Sequence, residues 1–293
     1  MKDELVRAVG FGDQVRLVAV HSTHLTERAR NLHRTYPVAT AALGRALAAA
    51  LSLAALTLKG QERLTLRILG NGPLRGLVAD ADARGSVRGY VKEPSVLLPL
   101  RQDGKLDVGR AVGEGEIVVS RDASSGEVYT SSTKLVSGEI AEDVAHYLDT
   151  SEQIPSACAF GVRLSPKGRV LGAGGIVVQL LPGAETSVIR QLEGALTSMA
   201  PVSLLVAHGA SAEDLLTQLA PAGAMSETDT RPVRFRCTCS RAKSERAIRS
   251  LGRLDLTQMI REGWAEVTCH FCRRVYAFNE EELKGILASL PPG

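Results

Sequence analysis

Four cysteines near the C-terminus constrain this chain more than any other feature. They stand as Cys237-Thr238-Cys239, then 29 residues, then Cys269-His270-Phe271-Cys272. A pair, a gap and a second pair is metal-ligand spacing. Each pair turns two sulfurs toward one point, and folding of the segment between them closes a tetrahedral thiolate site, the geometry zinc prefers. Core packing does not explain two close pairs of small residues. Permanent disulfides belong to oxidising compartments, and the chain opens on Met1-Lys2-Asp3-Glu4 with no apolar run directly after it, unlike a secretory leader. The reading is therefore one zinc ion held by Cys237, Cys239, Cys269 and Cys272 in a reducing cytoplasm. Four thiolates leave no open coordination position, which argues against a zinc hydrolase.

The ligands lie in a basic tail. Residues 231–293 carry a net charge of +5 and residues 1–230 a net of −2, within an overall +3. A tetrathiolate zinc centre bears about two negative charges, which Arg236, Arg241, Arg273 and Arg274 are placed to offset. A basic zinc unit also fits a second function class, a zinc-containing nucleic-acid-binding protein. The acidic remainder and an aromatic content of only 4% oppose it, and no specific nucleic-acid partner is expected.

Upstream, the residues predict a large α+β domain over 1–181. Gln14–Ser22 alternates as a strand. A polar helix over Leu25–Tyr36 leads into an alanine-rich helix that Pro37 opens and Gly60 closes. Arg45 interrupts that helix and leaves 13 uncharged residues after it, short of the roughly 20 a membrane span needs. A buried helix is the better reading, with Arg45 paired to an acid the sequence does not identify. Strands follow at Arg63–Leu69, Leu74–Ala81, Ser86–Lys92, Ile117–Ser120 and Val128–Val136, with turns at Gly70–Pro73 and Ser124–Gly126. A helix over Gly138–Asp149 precedes strands at Ala157–Leu164 and Arg169–Leu180. The absence of regular β-α alternation favours α+β over a doubly wound sheet.

The glycine clusters at Gly70–Gly76 and Gly172–Gly175 run into strands rather than helix N-termini, and no Walker lysine follows, so no nucleotide site is read there. There is no arranged Ser-His-Asp set and no H-E-x-x-H motif, and no enzyme is expected. Cys158 reads as a small buried hydrophobe, His33 as structural, His270 as solvent-facing, and Glu142 and Asp143 as an exposed helix face.

Residues 182–231 read as a linker of amphipathic helices. Val188, Ile189, Leu192, Ala195, Leu196 and Met199 repeat at helical spacing up to Pro201. Ser211 caps a second helix bearing Leu215, Leu216 and Leu219. Ala220–Gly223 and Met225–Arg231 read as loop. Residues 232–293 form the small zinc unit: a helix over 241–251, a second opened by an Asp255-x-x-Gln258 capping box and closed by Gly263, strands at Trp264–Thr268 and Val275–Phe278, and a last helix capped by Asn279. A unit of this size has a thin core and needs a staple. Zinc supplies about 10–16 kcal/mol of apparent binding free energy.

Zinc-bound thiolates are already deprotonated, so peroxide can oxidise them, and oxidised sulfur no longer ligates. A sulfenic acid in either pair has its partner cysteine beside it. The expected course is Cys237–Cys239 and Cys269–Cys272 disulfides, zinc loss, unfolding of the tail and release of the linker helices, which uncovers apolar surface.

At this point the sequence resembles a known family, the 33 kDa chaperonins (heat shock protein 33, redox-regulated bacterial holdases). The likeness rests on the cysteine tail; on His33, Pro37 and Leu43-Gly44-Arg45; on Val87-Arg88-Gly89-Tyr90; and on Ser137-Gly138-Glu139-Ile140-Ala141-Glu142-Asp143 running to Tyr147 and Ser151-Glu152-Gln153-Ile154-Pro155. It covers nearly the whole chain. The resemblance implies an ATP-independent cytoplasmic chaperone for unfolding proteins, with an α+β domain, a metastable linker and a zinc domain. It implies an inactive zinc form and an active oxidised form that is often a homodimer, with the same four cysteines as ligands and disulfide partners. Cys158 matches no ligand of that family.

Overall fold

Alanine explains the centre of the first unit. A computed structural model describes residues 2–123, 125–220 and 223–290, and the chain divides into two compact units, Met1–Arg236 and Cys237–Gly293. In chain order the first holds β1 (Glu4–Gly10), β2 (Val15–His21), α1 (Thr23–His33), α2 (Pro37–Thr57), β3 (Arg63–Gly70), β4 (Leu77–Asp82), β5 (Ser86–Val91), α3 (Val108–Val112), β6 (Gly115–Asp122), β7 (Val128–Lys134), α4 (Ala141–Thr150), β8 (Ser156–Leu164), β9 (Val170–Leu180), α5 (Thr186–Ser198), α6 (Val202–Ala207), α7 (Ala212–Thr217), β10 (Met225–Pro232) and β11 (Arg234–Phe235).

Helix α2 is the hub. From Val38 to Ala55 every residue except Arg45 is buried. It is long and apolar enough to cross a membrane by composition, yet 94% of that stretch is buried inside the unit, so it is a core helix. It packs against β3, β4 and β5 on one side and β2, β8 and β9 on the other. Its alanines keep the helix thin enough for both sheets to approach. Gly89 on β5 belongs to the same fit: a Cβ there would sit 2.7 Å from the Val78 carbonyl oxygen and 2.8 Å from Leu47 Cδ2.

The six-stranded sheet runs β11-β5-β4-β3-β6-β7 and the five-stranded sheet β10-β1-β2-β9-β8. All pairings are antiparallel except the short β11–β5 contact. The α+β reading holds. Strands β2 and β9 are buried along almost their whole length, because both faces of their sheet are covered, which is why they read as continuous apolar runs. One face meets α2. On the other, Val188 and Leu192 of α5, Val202 and Val206 of α6 and Leu215 and Leu216 of α7 cluster with Val6, Ala8, Leu17, Ala19, Ile176 and Val178 of the sheet.

Several elements differ from the sequence reading. Met225–Arg231, read as loop, is strand β10, paired antiparallel with β1 from Glu4↔Pro232 to Gly10↔Met225 with a register shift between Arg7 and Val9. Its sequence, MSETDTRP, carries no apolar alternation, and only pairing to β1 makes it a strand. Strand β1 itself went unread. The strand expected from Leu74 begins at Leu77, because Arg75 (φ 59°) and Gly76 (φ 118°) take left-handed backbone. Helices α3 and α6 were also not anticipated. The expected turn at Ser124–Gly126 and loop at Ala220–Gly223 fall partly outside the described residues.

The second unit holds α8 (Arg241–Arg249), α9 (Arg253–Glu262), the antiparallel hairpin of β12 (Trp264–Thr268) and β13 (Val275–Asn279), and α10 (Glu280–Ala288). Its buried core is Ile248, Leu256, Ala265, Phe278, Leu283 and Ile286. Helix α9 starts after Gly252 at φ 91°, two residues before the expected Asp255 cap. Gly263 closes it at φ 81°, as read. Asn279 caps α10 in a reciprocal box with Glu282.

Candidate metal centre

Local chemistry places each cysteine. Ser240 Oγ accepts the Lys243 amide and starts α8 immediately after Cys239. The Lys243 ammonium donates to the Thr238 carbonyl at 2.9 Å, fixing the bend between the first two cysteines. The second pair sits at the tip of the β12–β13 hairpin. There the Cys269 amide donates to the Arg274 carbonyl (2.9 Å) and the Arg273 amide to the Cys269 carbonyl (2.8 Å). Arg273 takes φ 59° to complete the turn.

These turns bring the four sulfurs together. All four Sγ atoms lie within 4.8 Å of one another. Cys237 and Cys269 are 3.7 Å apart and Cys239 and Cys272 are 3.4 Å apart. Tetrahedral thiolates around zinc, at about 2.3 Å per bond, stand about 3.8 Å from each other. The donor set and its spacing therefore fit a four-coordinate soft-metal site, and no disulfide joins any of them. All four are partly exposed, within reach of solutes.

The sulfurs do not share one environment. Burial pushes the Cys239 thiol up, but the Tyr276 hydroxyl, 3.2 Å from its Sγ, and the three neighbouring thiols outweigh that and bring it down to about 7. Burial pushes Cys272 up to about 12; the Arg274 amide opposes this, and the neighbouring sulfurs add to it. Burial also raises Cys269. Without metal, negative charge is favoured on Cys239 and disfavoured on Cys269 and Cys272. Arg274 lies in the electrostatic field of Tyr276, Cys239 and Cys272. Arg241, read as a counter-charge for the cluster, instead pairs with Glu282 at 2.6 Å and lies over the Phe278 ring at 4.4 Å. His270 is exposed, as expected.

The remaining candidates resolve in the first unit. Burial pushes the Cys158 thiol up to about 12, which makes it a poor nucleophile. His33 is buried. The acid that pairs with Arg45 is Glu139, at 2.5 Å, and Glu139 also accepts the Gly109 amide at 3.0 Å. Glu142 is exposed as read, but Asp143 is fully buried. Its carboxylate accepts the amides of Val136, Ser137, Gly138 and Ile140 at 2.8–3.2 Å. The turn before α4 wraps back onto the first helical turn, so a residue that looks outward by helical spacing points into its own cap. Tyr276 was not singled out from sequence. An aromatic four residues past Cys272 carries no signal until the hairpin register sets which way it faces.

The fold and the cluster together define a class: an α+β protein carrying a separate module built on four thiols placed to hold a metal ion. The crystal structure of the 33 kDa chaperonin (heat shock protein 33 homolog) from Thermotoga maritima has the same fold, with a TM-score of 0.91, 37% identity and 98% of each chain covered. The family model described as Hsp33 protein matches residues 3–279, and the chain belongs to that family. Relatives named 33 kDa chaperonin include those of Desulforamulus reducens, 44% identical over 98% of both chains, and of Symbiobacterium thermophilum, 48% identical over 97% of this chain and 96% of that one. Membership supports a role as a chaperone.

Proposed function

We propose that this protein is a redox-regulated, ATP-independent holdase of the cytoplasm, silent while Cys237, Cys239, Cys269 and Cys272 hold one zinc ion and active once they are oxidised. The observation that carries the reading is the four-sulfur cluster in a unit with six buried core side chains among the described residues. Bound zinc would keep the four thiols deprotonated and supply the binding energy that so small a core lacks. Partial exposure gives peroxide access to the sulfurs.

The oxidative step runs on the chain's own atoms. A thiolate sulfur attacks one peroxide oxygen; an S–O bond forms, the O–O bond breaks and hydroxide leaves. The partner thiolate then attacks that sulfur, an S–S bond forms and a second hydroxide leaves. Two peroxides make two disulfides, Cys237–Cys239 and Cys269–Cys272. In the folded cluster, sulfur contacts of 3.4 and 3.7 Å run across the pairs instead. The within-pair bonds are favoured because the unit opens as its sulfurs oxidise, and short chain loops then close more readily than long ones.

The consequence reaches residues 182–231, the proposed metastable linker between a core domain over 1–181 and a switch domain over 232–293. If α5–α7 leave their sheet, they uncover Val6, Ala8, Leu17, Ala19, Ile176 and Val178, a contiguous apolar surface suited to unfolded clients. A homodimer of the oxidised form belongs to the same reading. The test follows zinc release, far-UV circular dichroism and suppression of client aggregation together, before and after peroxide. The reading predicts that all three change in concert. Zinc release with no gain in aggregation suppression refutes it.

A further inference from the structure

The Tyr276 hydroxyl lies 3.2 Å from Cys239 Sγ. Strand register sets this contact: Tyr276 on β13 stands opposite Val267 on β12, three residues past the Arg273 turn. The Arg274 guanidinium acts electrostatically on the same phenol. A guanidinium only donates, so the phenol's single proton is left for the sulfur. The adjacent positive charge makes that O–H a stronger donor.

Resting on the redox-switch reading above, we propose that Tyr276, polarised by Arg274, guards Cys239 by holding down the reactivity of its sulfur toward oxidants and other electrophiles. The hydroxyl draws electron density from the sulfur whose lone pairs must attack. As the S–O bond forms and the peroxide O–O bond breaks, the sulfur loses its negative charge and the hydrogen bond weakens with it. That loss adds to the barrier. Cys269 and Cys272 also receive donors, but from the backbone amides of Phe271, Cys272 and Arg274. Those come with the turn whatever the side chains are. The guard on Cys239 is a side chain, so it is a separately adjustable setting of the switch.

The experiment uses the full chain loaded with zinc and the variant Tyr276→Phe, which removes one oxygen. Iodoacetamide labelling is resolved by residue with mass spectrometry, beside peroxide-driven zinc release read with a chelating dye. Cys239 is expected to label about three- to tenfold faster in the variant, the size of one ordinary net hydrogen bond. Cys237, Cys269 and Cys272 keep their rates, and zinc release quickens. Arg274→Gln shifts Cys239 the same way by less, and it carries the test if the phenylalanine variant fails to hold zinc. Unchanged or slower labelling of Cys239 overturns the guard, and so does an equal acceleration of all four cysteines, which would make Tyr276 a support of the fold. A wild-type protein that keeps its zinc in peroxide defeats the redox-switch reading, while the labelling of Cys239 still decides the guard.

Discussion

Asp143 joins four backbone amides of the turn before α4 to one buried carboxylate. Buried donors left without partners are costly. Asp143→Ala is expected to destabilise the first unit by on the order of 3 kcal/mol. Asp143→Asn should cost about half of that, because Oδ1 alone serves Val136, Ser137 and Gly138 and only the Ile140 amide faces the lost oxygen. Denaturant midpoints of the three proteins check the order. Asp3 makes a comparable joint at the start of β1. Burial raises its pKa, but the His21 ring and the amides of Leu25 and His24 outweigh that and lower it. A folded pKa below the unfolded one stabilises the fold above about pH 4. That contribution is lost as the pH falls through the lower folded value. Asp3→Asn should therefore be less stable than wild type near neutrality, and the gap should close in acid, as paired urea melts across that range would show.

Helices α2 and α5 show what an element gains from small residues in opposite settings. Around α2 the fit has no slack, and Gly89→Ala would press a Cβ against a backbone carbonyl and Leu47. A loss of about 1–3 kcal/mol is expected, the usual cost of overpacking a core, measurable as a lowered denaturant midpoint. Gly194 in α5 has open space where its Cβ would go. Gly194→Ala should stabilise that helix by about 0.5–1 kcal/mol, since glycine is a poor interior helix residue. If α5 must leave its sheet for activity, the same variant needs more oxidant or longer exposure before client aggregation is suppressed. The oxidant dose at half-activity reads this out.

Across the whole molecule, two cores of unequal size predict unequal responses to metal. The first unit rests on an extensive aliphatic cluster around α2, the second on a handful of side chains beside the sulfurs. Stripping zinc with a chelator under reducing conditions should abolish amide protection over 237–290 while β3–β6 and α2 remain protected, as hydrogen exchange by mass spectrometry would show. Retained protection in the stripped tail would mean that its core suffices alone.

Sequence by itself determined the cysteine cluster, the buried character of α2 and the apolar stripe of α5. Each of these is written in spacing along the chain: ligand pairs, helical periodicity and uninterrupted apolarity survive in one dimension. Only the tertiary structure decided that Glu139 meets Arg45 across 94 residues, that a polar run at Met225–Pro232 is the strand beside β1, that Asp143 turns inward, and that Tyr276 rests on a cysteine 37 residues before it. Those contacts join polar groups through turns and strand register. The geometry that selects their partners arises once the sheets have closed.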